Sequence, residues 1–170
     1  AGFLNSFVRH ADVVKIANIA QIVNVIAPVL TRGDEMLLQS IFYPFEMMSS
    51  RRDGISLQVV VDGPRYDSAS YGTVNTIDAS AVLGDGVVHV FATNRDLGES
   101  AEVSVCLGNG TFERMVSADI LSGSEAGSAN SFEKPNAVTP TALAGVRVSG
   151  GEVTFELPPL SFGAVSLGLG

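Results

Sequence analysis

Val13-Val14-Lys15-Ile16-Ala17-Asn18-Ile19-Ala20-Gln21-Ile22-Val23-Asn24-Val25-Ile26 is the stretch on which the reading of this chain turns. Its periodicity fits a second helix or a strand. The density of β-branched residues favours a strand, and its first ten residues look like one buried on both faces, as in a parallel sheet. Pro28 excludes a long continuous helix through the segment. Upstream, Phe3, Leu4, Phe7, Val8 and Ala11 follow helical spacing, with Asp12 able to end that helix. The chain opens in the middle of this apolar pattern, as an element begun further upstream would. Downstream, Leu37 to Ile41 is a short extended piece. Pro44 then suits the first turn of a helix containing Phe45, Met47 and Met48. Helix, buried strand, loop and helix are the grammar of a fragment of an α/β protein.

Beyond residue 55 the texture changes to strands and tight turns. Ser56 to Val61 is predicted as a strand stopped by Asp62-Gly63-Pro64. Ile77 to Leu83 and Val87 to Asn94 flank Gly84-Asp85-Gly86, a hairpin turn supplied by the Asp-Gly pair. In Ala101 to Leu107 the odd positions share one face. Asn109-Gly110 is a second hairpin signal, leading into Thr111 to Val116. Glu152 to Leu157 alternates with Val153, Phe155 and Leu157 inward, Pro158-Pro159 breaks it, and Ser161 to Leu169 closes the chain. Residues from about Ser122 to Thr141 form a Ser/Gly/Asn/Pro-rich loop. Strands so closely spaced, with little helix between them, predict an antiparallel sandwich or jelly roll.

Charge divides the chain at the same place. Residues 1–55 balance five basic side chains against five acidic ones, whereas residues 56–170 carry five basic and thirteen acidic residues and so the whole formal charge of −8. That shift predicts a boundary near 55, at the turn Asp53-Gly54. An acidic chain repels phosphate backbones, which argues against nucleic-acid partners. No apolar run reaches the roughly 18 residues of a membrane span, because Lys15, Asn18, Gln21 and Asn24 interrupt the greasiest stretch. The start Ala1 to His10 lacks the pattern of a secretory signal. The single cysteine, Cys106, excludes a disulfide framework and a cysteine-based zinc cluster. The 170 residues contain no tryptophan, which weakens the reading of a stand-alone sugar-binding module.

Few residues offer chemistry by themselves. His10 and His89 are far apart and neither has a carboxylate at ligand spacing, so both read as structural. No Gly-x-Ser-x-Gly elbow is present, and the Gly-x-Gly pairs are turns. Asn109-Gly110-Thr111 matches a glycosylation sequon, but the hairpin reading is the stronger. The amides say more. Asn18, Gln21 and Asn24 interrupt a run that looks buried, and a buried amide must be hydrogen-bonded or costs about 1–3 kcal/mol. They read either as a structural network or as amides that a barrel strand delivers to a site at its top. Gln39, just ahead of Phe42, Tyr43 and Phe45, pairs a donor and an acceptor with aromatic neighbours, which suits a hydroxyl-rich ligand.

Gly2 to Asp12 (GFLNSFVRHAD) and Val14 to Pro28 (VKIANIAQIVNVIAP) together resemble the late barrel region of the family 51 glycoside hydrolases, the α-L-arabinofuranosidases. Gln39 to Phe45 (QSIFYPF) matches that family's next segment. The resemblance continues through Ala92 to Leu97 (ATNRDL), Lys134 to Pro140 (KPNAVTP) and Leu157 to Phe162 (LPPLSF), and so covers the whole chain. It implies a mainly β fold: a jelly-roll-type antiparallel β-sandwich over 56–170, preceded over 1–55 by the last strand and helices of a (β/α)8 barrel. Residues 1–11 would end the helix before the last strand, 13–23 would be that eighth strand, and 42–52 the final helix.

The resemblance further implies a retaining enzyme that hydrolyses terminal α-L-arabinofuranosyl groups from arabinan or arabinoxylan oligosaccharides, without cofactor, in the cytoplasm, as a trimer or hexamer. No glutamate here matches the family's catalytic motifs, so both catalytic carboxylates are expected upstream and the segment alone is expected to be inactive. Gln39 falls where the family has a glutamine that hydrogen-bonds the sugar in the −1 subsite, and Asn24 is a second candidate lining the pocket. Met36-Leu37-Leu38 replaces a stretch where the family often has tryptophan, which leaves outer subsite contacts undefined. The alternative function is a non-catalytic carbohydrate-binding or oligomer-supporting sandwich. With strand 13–23 unpaired, the isolated segment is expected to self-associate.

Overall fold

A computed structural model describes residues 1–170. Helix α1 (Gly2–Arg9) is followed by an irregular segment, a hairpin of β1 (Val29–Arg32) and β2 (Glu35–Leu38), and helix α2 (Phe42–Ser49). The remainder is β structure: β3 (Ile55–Leu57), β4 (Arg65–Ser68), β5 (Gly72–Asn75), β6 (Ile77–Gly84), β7 (Val87–Asn94), β8 (Ala101–Val105), β9 (Phe112–Ser122), β10 (Thr141–Ala142), β11 (Arg147–Ser149), β12 (Glu152–Leu157) and β13 (Ser161–Leu169). Strands β10-β9-β13-β7-β6-β3 form one antiparallel sheet and β11-β12-β8 a second, with β4–β5 a separate hairpin.

Alternation places the two cores. On β6, β7, β9 and β13 one set of residues (Ala79, Ala81, Val88, Val90, Ala92, Ala118, Ile120, Val165, Leu167) meets Val153, Phe155 and Leu157 of the smaller sheet. This is the sandwich interior, and Val153 and Leu157 are fully buried, as their spacing predicts. The opposite set on the same strands (Val82, Phe91, Leu121, Phe162, Ala164) is covered by Tyr43, Met47 and Met48 of α2, with Leu4 and Val8 of α1 alongside. The larger sheet is thus buried on both faces over much of its width. The expected mainly β fold with antiparallel sheets and short helices is the one found.

Two polar networks fasten the helices to that outer face. Asn5, fully buried, donates to the Asp78 carboxylate (3.2 Å) and accepts from the Ser80 hydroxyl (2.9 Å). Asp78 also meets Arg9 at 2.9 Å and Arg95 at 3.1 Å. A buried carboxylate is tolerable when cations and donors surround it in this way. At the other helix, Arg51 pairs with Asp119 and donates to the Ser166 hydroxyl at 3.2 Å, while Ser166 meets His89 Nδ1 at 2.9 Å.

His89, read as structural, belongs to this second network. Burial first, and then the charge of Arg51, hold it below its ordinary 6.5. As pH falls, the unfolded chain takes up this proton before the folded one. The stability His89 contributes is therefore present above about 6.5 and is lost as pH drops below it. Thermal unfolding compared at about pH 7.5 and about pH 5.5 should show a smaller difference for His89→Gln than for the parent.

Several local readings differ from the structure; the strand expected over Ser56 to Val61 is only Ile55–Leu57. Residues 13–23 form no strand: apart from one parallel bridge between Val23 and Val29 the run has no sheet partner, and Val13, Ile16, Ile22 and Val25 are exposed. A parallel strand exists only by hydrogen bonds to strands on either side, and none is available here. Gln21, Asn24 and Val25 take positive φ instead. Asn109-Gly110 makes no hairpin: Gly110 has the positive φ of a turn, but β8 pairs with β12 and β9 with β13, so the turn carries the chain from one sheet to the other. Strand β9 continues to Ser122, beyond the predicted end at Val116. Asp85-Gly86 turns as expected, both residues having positive φ.

The passage from α2 into β3 is tight. Gly54 has positive φ, and a Cβ built on it would overlap the Leu83 carbonyl; one built on Gly84 would overlap the Asp53 carbonyl. Backbone lies directly on backbone at this point, which only glycine permits.

Candidate functional site

The β1–β2 hairpin brings the two candidate amides together at its base. Thr31 and Met36 are register partners, as are Val29 and Leu38, so the residues just before β1 and just after β2 are neighbours. Gln39 follows β2 directly. Its backbone N–H donates to the Pro28 carbonyl at 2.8 Å, and its carbonyl accepts from Phe42 N–H at 2.9 Å at the start of α2. Its side-chain Nε2 donates to the carbonyl of Ala27, a fully buried residue. Gln39 is half-buried, and its Oε1 accepts no hydrogen bond within the chain. It is an acceptor with a fixed mounting.

Asn24 sits on the other side of the hairpin base, exposed, with φ of +61°. Its Oδ1 accepts from Thr31 N–H at 2.8 Å and its Nδ2 donates to Thr31 Oγ1 at 3.0 Å. Its backbone N–H donates to the Val29 carbonyl at 2.8 Å. Asparagine tolerates this left-handed conformation better than most residues. Asn18 and Gln21, the other interrupting amides, are exposed and make no side-chain hydrogen bond.

A residue that sequence reasoning passed over completes the arrangement. Asn130, in the loop between β9 and β10, donates through Nδ2 to the Leu38 carbonyl at 2.9 Å, one residue before Gln39. The tip of the hairpin meets the same loop: Arg32 bonds Glu133 at 2.9 Å and stacks over the Phe132 ring at 4.3 Å. The Arg32 guanidinium holds the Glu133 carboxyl below the usual carboxylate range. The available signal was the short apolar-bearing run Phe132 to Val138 inside a loop otherwise built of small polar residues.

The carboxylates are dispersed. Glu35 and Glu133 pair with Arg32. Glu102 and Glu156 are register partners across β8 and β12, on a solvent-exposed face. No group of three His, Cys, Asp or Glu side chains converges as a metal centre. Two grooves, of about 360 and 380 Å³, lie elsewhere, one among apolar residues of α1, α2 and residues 14–17, the other beside Arg9, Asp78 and Arg95; Gln39 and Asn24 line neither. No helix is long and apolar enough to cross a membrane.

Comparison with known proteins supplies the context that this geometry lacks. Residues 1–161 match the family described as the α-L-arabinofuranosidase C-terminal domain. An intracellular exo-α-(1→5)-L-arabinofuranosidase of Streptomyces lividans is 35% identical over 164 residues, which are 95% of this chain and 25% of that protein. An exo-α-(1→6)-L-arabinofuranosidase of Bifidobacterium longum is 33% identical over 165 residues, 94% of this chain and 32% of that one. Among solved structures, a family 51 α-L-arabinofuranosidase from Bifidobacterium longum superposes with a TM-score of 0.89 at 28% identity, covering 96% of this chain and 33% of its own. The chain therefore spans about a quarter to a third of the length of the curated relatives it matches.

Proposed function

Because this chain belongs to the α-L-arabinofuranosidase C-terminal domain family of the family 51 glycoside hydrolases, we propose that it forms part of an exo-acting enzyme. That enzyme removes terminal α-L-arabinofuranosyl groups from arabinan or arabinoxylan oligosaccharides with retention of configuration. The observation that carries this reading is the match over residues 1–161, together with relatives named for that activity on 1→5 and 1→6 linkages.

Retention needs two carboxyl groups about 5–5.5 Å apart across the bond. The glutamates here face solvent or cations, with none in a groove beside Gln39. We assign both catalytic glutamates to barrel strands outside these 170 residues, and residues 1–55 to the closing part of that barrel. Gln39 offers Oε1 to a hydroxyl of the sugar in the −1 subsite. Asn24, whose amide is committed to Thr31, contributes pocket wall. The enzyme needs no cofactor. The naming of the Streptomyces relative as intracellular supports a cytoplasmic location, and the family resemblance supports a homo-oligomer, a trimer or hexamer.

The test is direct. The full-length protein should release nitrophenol from a nitrophenyl α-L-arabinofuranoside, and proton NMR should show the α-anomer of arabinose as the first product. Absence of release, or an inverted first product, would remove the assignment.

A further inference from the structure

We propose that the loop between β9 and β10 is a positioning element for the sugar-binding site, with Asn130 setting the orientation of Gln39; this rests on the reading of Gln39 given above. The loop belongs to the sandwich, and the contact joins residues 92 positions apart in sequence. Asn130 is about nine-tenths buried. Its Oδ1 accepts from Val138 N–H at 2.7 Å and its Nδ2 donates to the Val138 carbonyl at 2.9 Å, which fixes the amide within its own loop. The remaining donation crosses to the Leu38 carbonyl at 2.9 Å.

That carbonyl and the Gln39 N–H belong to one planar peptide group. Asn130 grips the group by its oxygen, and the Pro28 carbonyl grips it by its nitrogen at 2.8 Å. With the plane fixed at both ends, the direction in which the Gln39 side chain leaves the backbone is fixed as well. Arg32, held by Glu133 and the Phe132 ring, ties down the far end of the same hairpin. No side chain of the loop hydrogen-bonds Gln39 itself, so Asn130 acts through it, as a positioning residue. Small errors in the placement of a group that orients substrate are expensive in rate.

A double-mutant cycle in the full-length enzyme, assayed on nitrophenyl α-L-arabinofuranoside, separates positioning from general stability. Asn130→Ala should lower kcat about tenfold with KM changed less than about twofold, and should change kcat less than about twofold once Gln39 is already alanine. Equal losses in both backgrounds, or no loss in the parent, would overturn the proposal. Arg32→Met, which alters only an exposed side chain, gives a second reading should Asn130→Ala not fold. It should cost kcat about threefold in the parent and nothing beside Gln39→Ala, and an unchanged parent rate would count against positioning. If Gln39→Ala alone leaves kcat unaltered, the sugar-binding reading itself fails and takes the proposal with it. If Gln39→Ala is slow while Asn130→Ala and Arg32→Met are not, only the proposal fails.

Discussion

Gln39→Ala in the full-length enzyme should lower kcat about a hundredfold while the protein stays folded. A hundredfold corresponds to about 2.7 kcal/mol of lost transition-state stabilisation. Hydrogen bonds to sugar hydroxyls that strengthen as the ring distorts supply energies of this order in glycosidases. The backbone reasons for retained folding are specific. The bonds from Gln39 N–H to Pro28 and from Phe42 N–H to Gln39 do not involve the side chain and survive the change. What is lost within the chain is one donation to the Ala27 carbonyl, a cost of about 1 kcal/mol. A variant with parental kcat and parental stability would show that Gln39 does not touch the sugar.

The second large effect concerns stability. Phe91→Ala should destabilise the protein by about 3–5 kcal/mol, as large-to-small changes of buried aromatics do. Phe91 is 1% exposed and points away from the sandwich interior, toward the helices. Its ring stacks with that of Phe162 at 6.5 Å between centroids and 14° between planes. Tyr43, Met47 and Met48 close over the pair. In a cooperative unit of 170 residues each kcal/mol lowers the unfolding midpoint by about 2–4 °C. A loss below about 1 kcal/mol in thermal or denaturant unfolding would mean that the helices do not pack on this face. Leu157→Ala, in the interior between the two sheets, is the matched control and should cost a comparable amount.

How much of this was legible in the residues differs from segment to segment. Val87–Asn94, Glu152–Leu157 and Ser161–Leu169 were bounded correctly because turn residues bracket them. Apolar residues also alternate clearly along the middle one. Hairpin β4–β5 was missed: its strands are short and largely polar, and their pairing leaves little hydrophobic signal. The Asn109-Gly110 turn was correctly located and wrongly interpreted, because a dipeptide specifies backbone curvature but not which strands lie beyond it.

Residues 13–23 show the limit most plainly. Their composition favours a strand, yet a strand is a relation between segments, and these 170 residues hold no partner for it. The candidate site divides in the same way. Gln39 stood out because an amide beside aromatics is chemically conspicuous. Asn130 did not, because an asparagine in a polar loop looks like solvent-facing filler until the fold carries it to Leu38.

The glycine contact between Gly54 and Gly84 bears on how the two regions move. Segments joined by a short passage usually swivel unless a large apolar interface restrains them. Here the passage is pinned main chain to main chain, and the apolar layer around Phe91 lies over the same sheet. Backbone contact and apolar packing together occupy the place where a hinge would need slack. Any displacement of α1 and α2 would drag the sheet beneath them, and replacing β6 with a foreign strand would require Gly54 and Gly84 to be kept together.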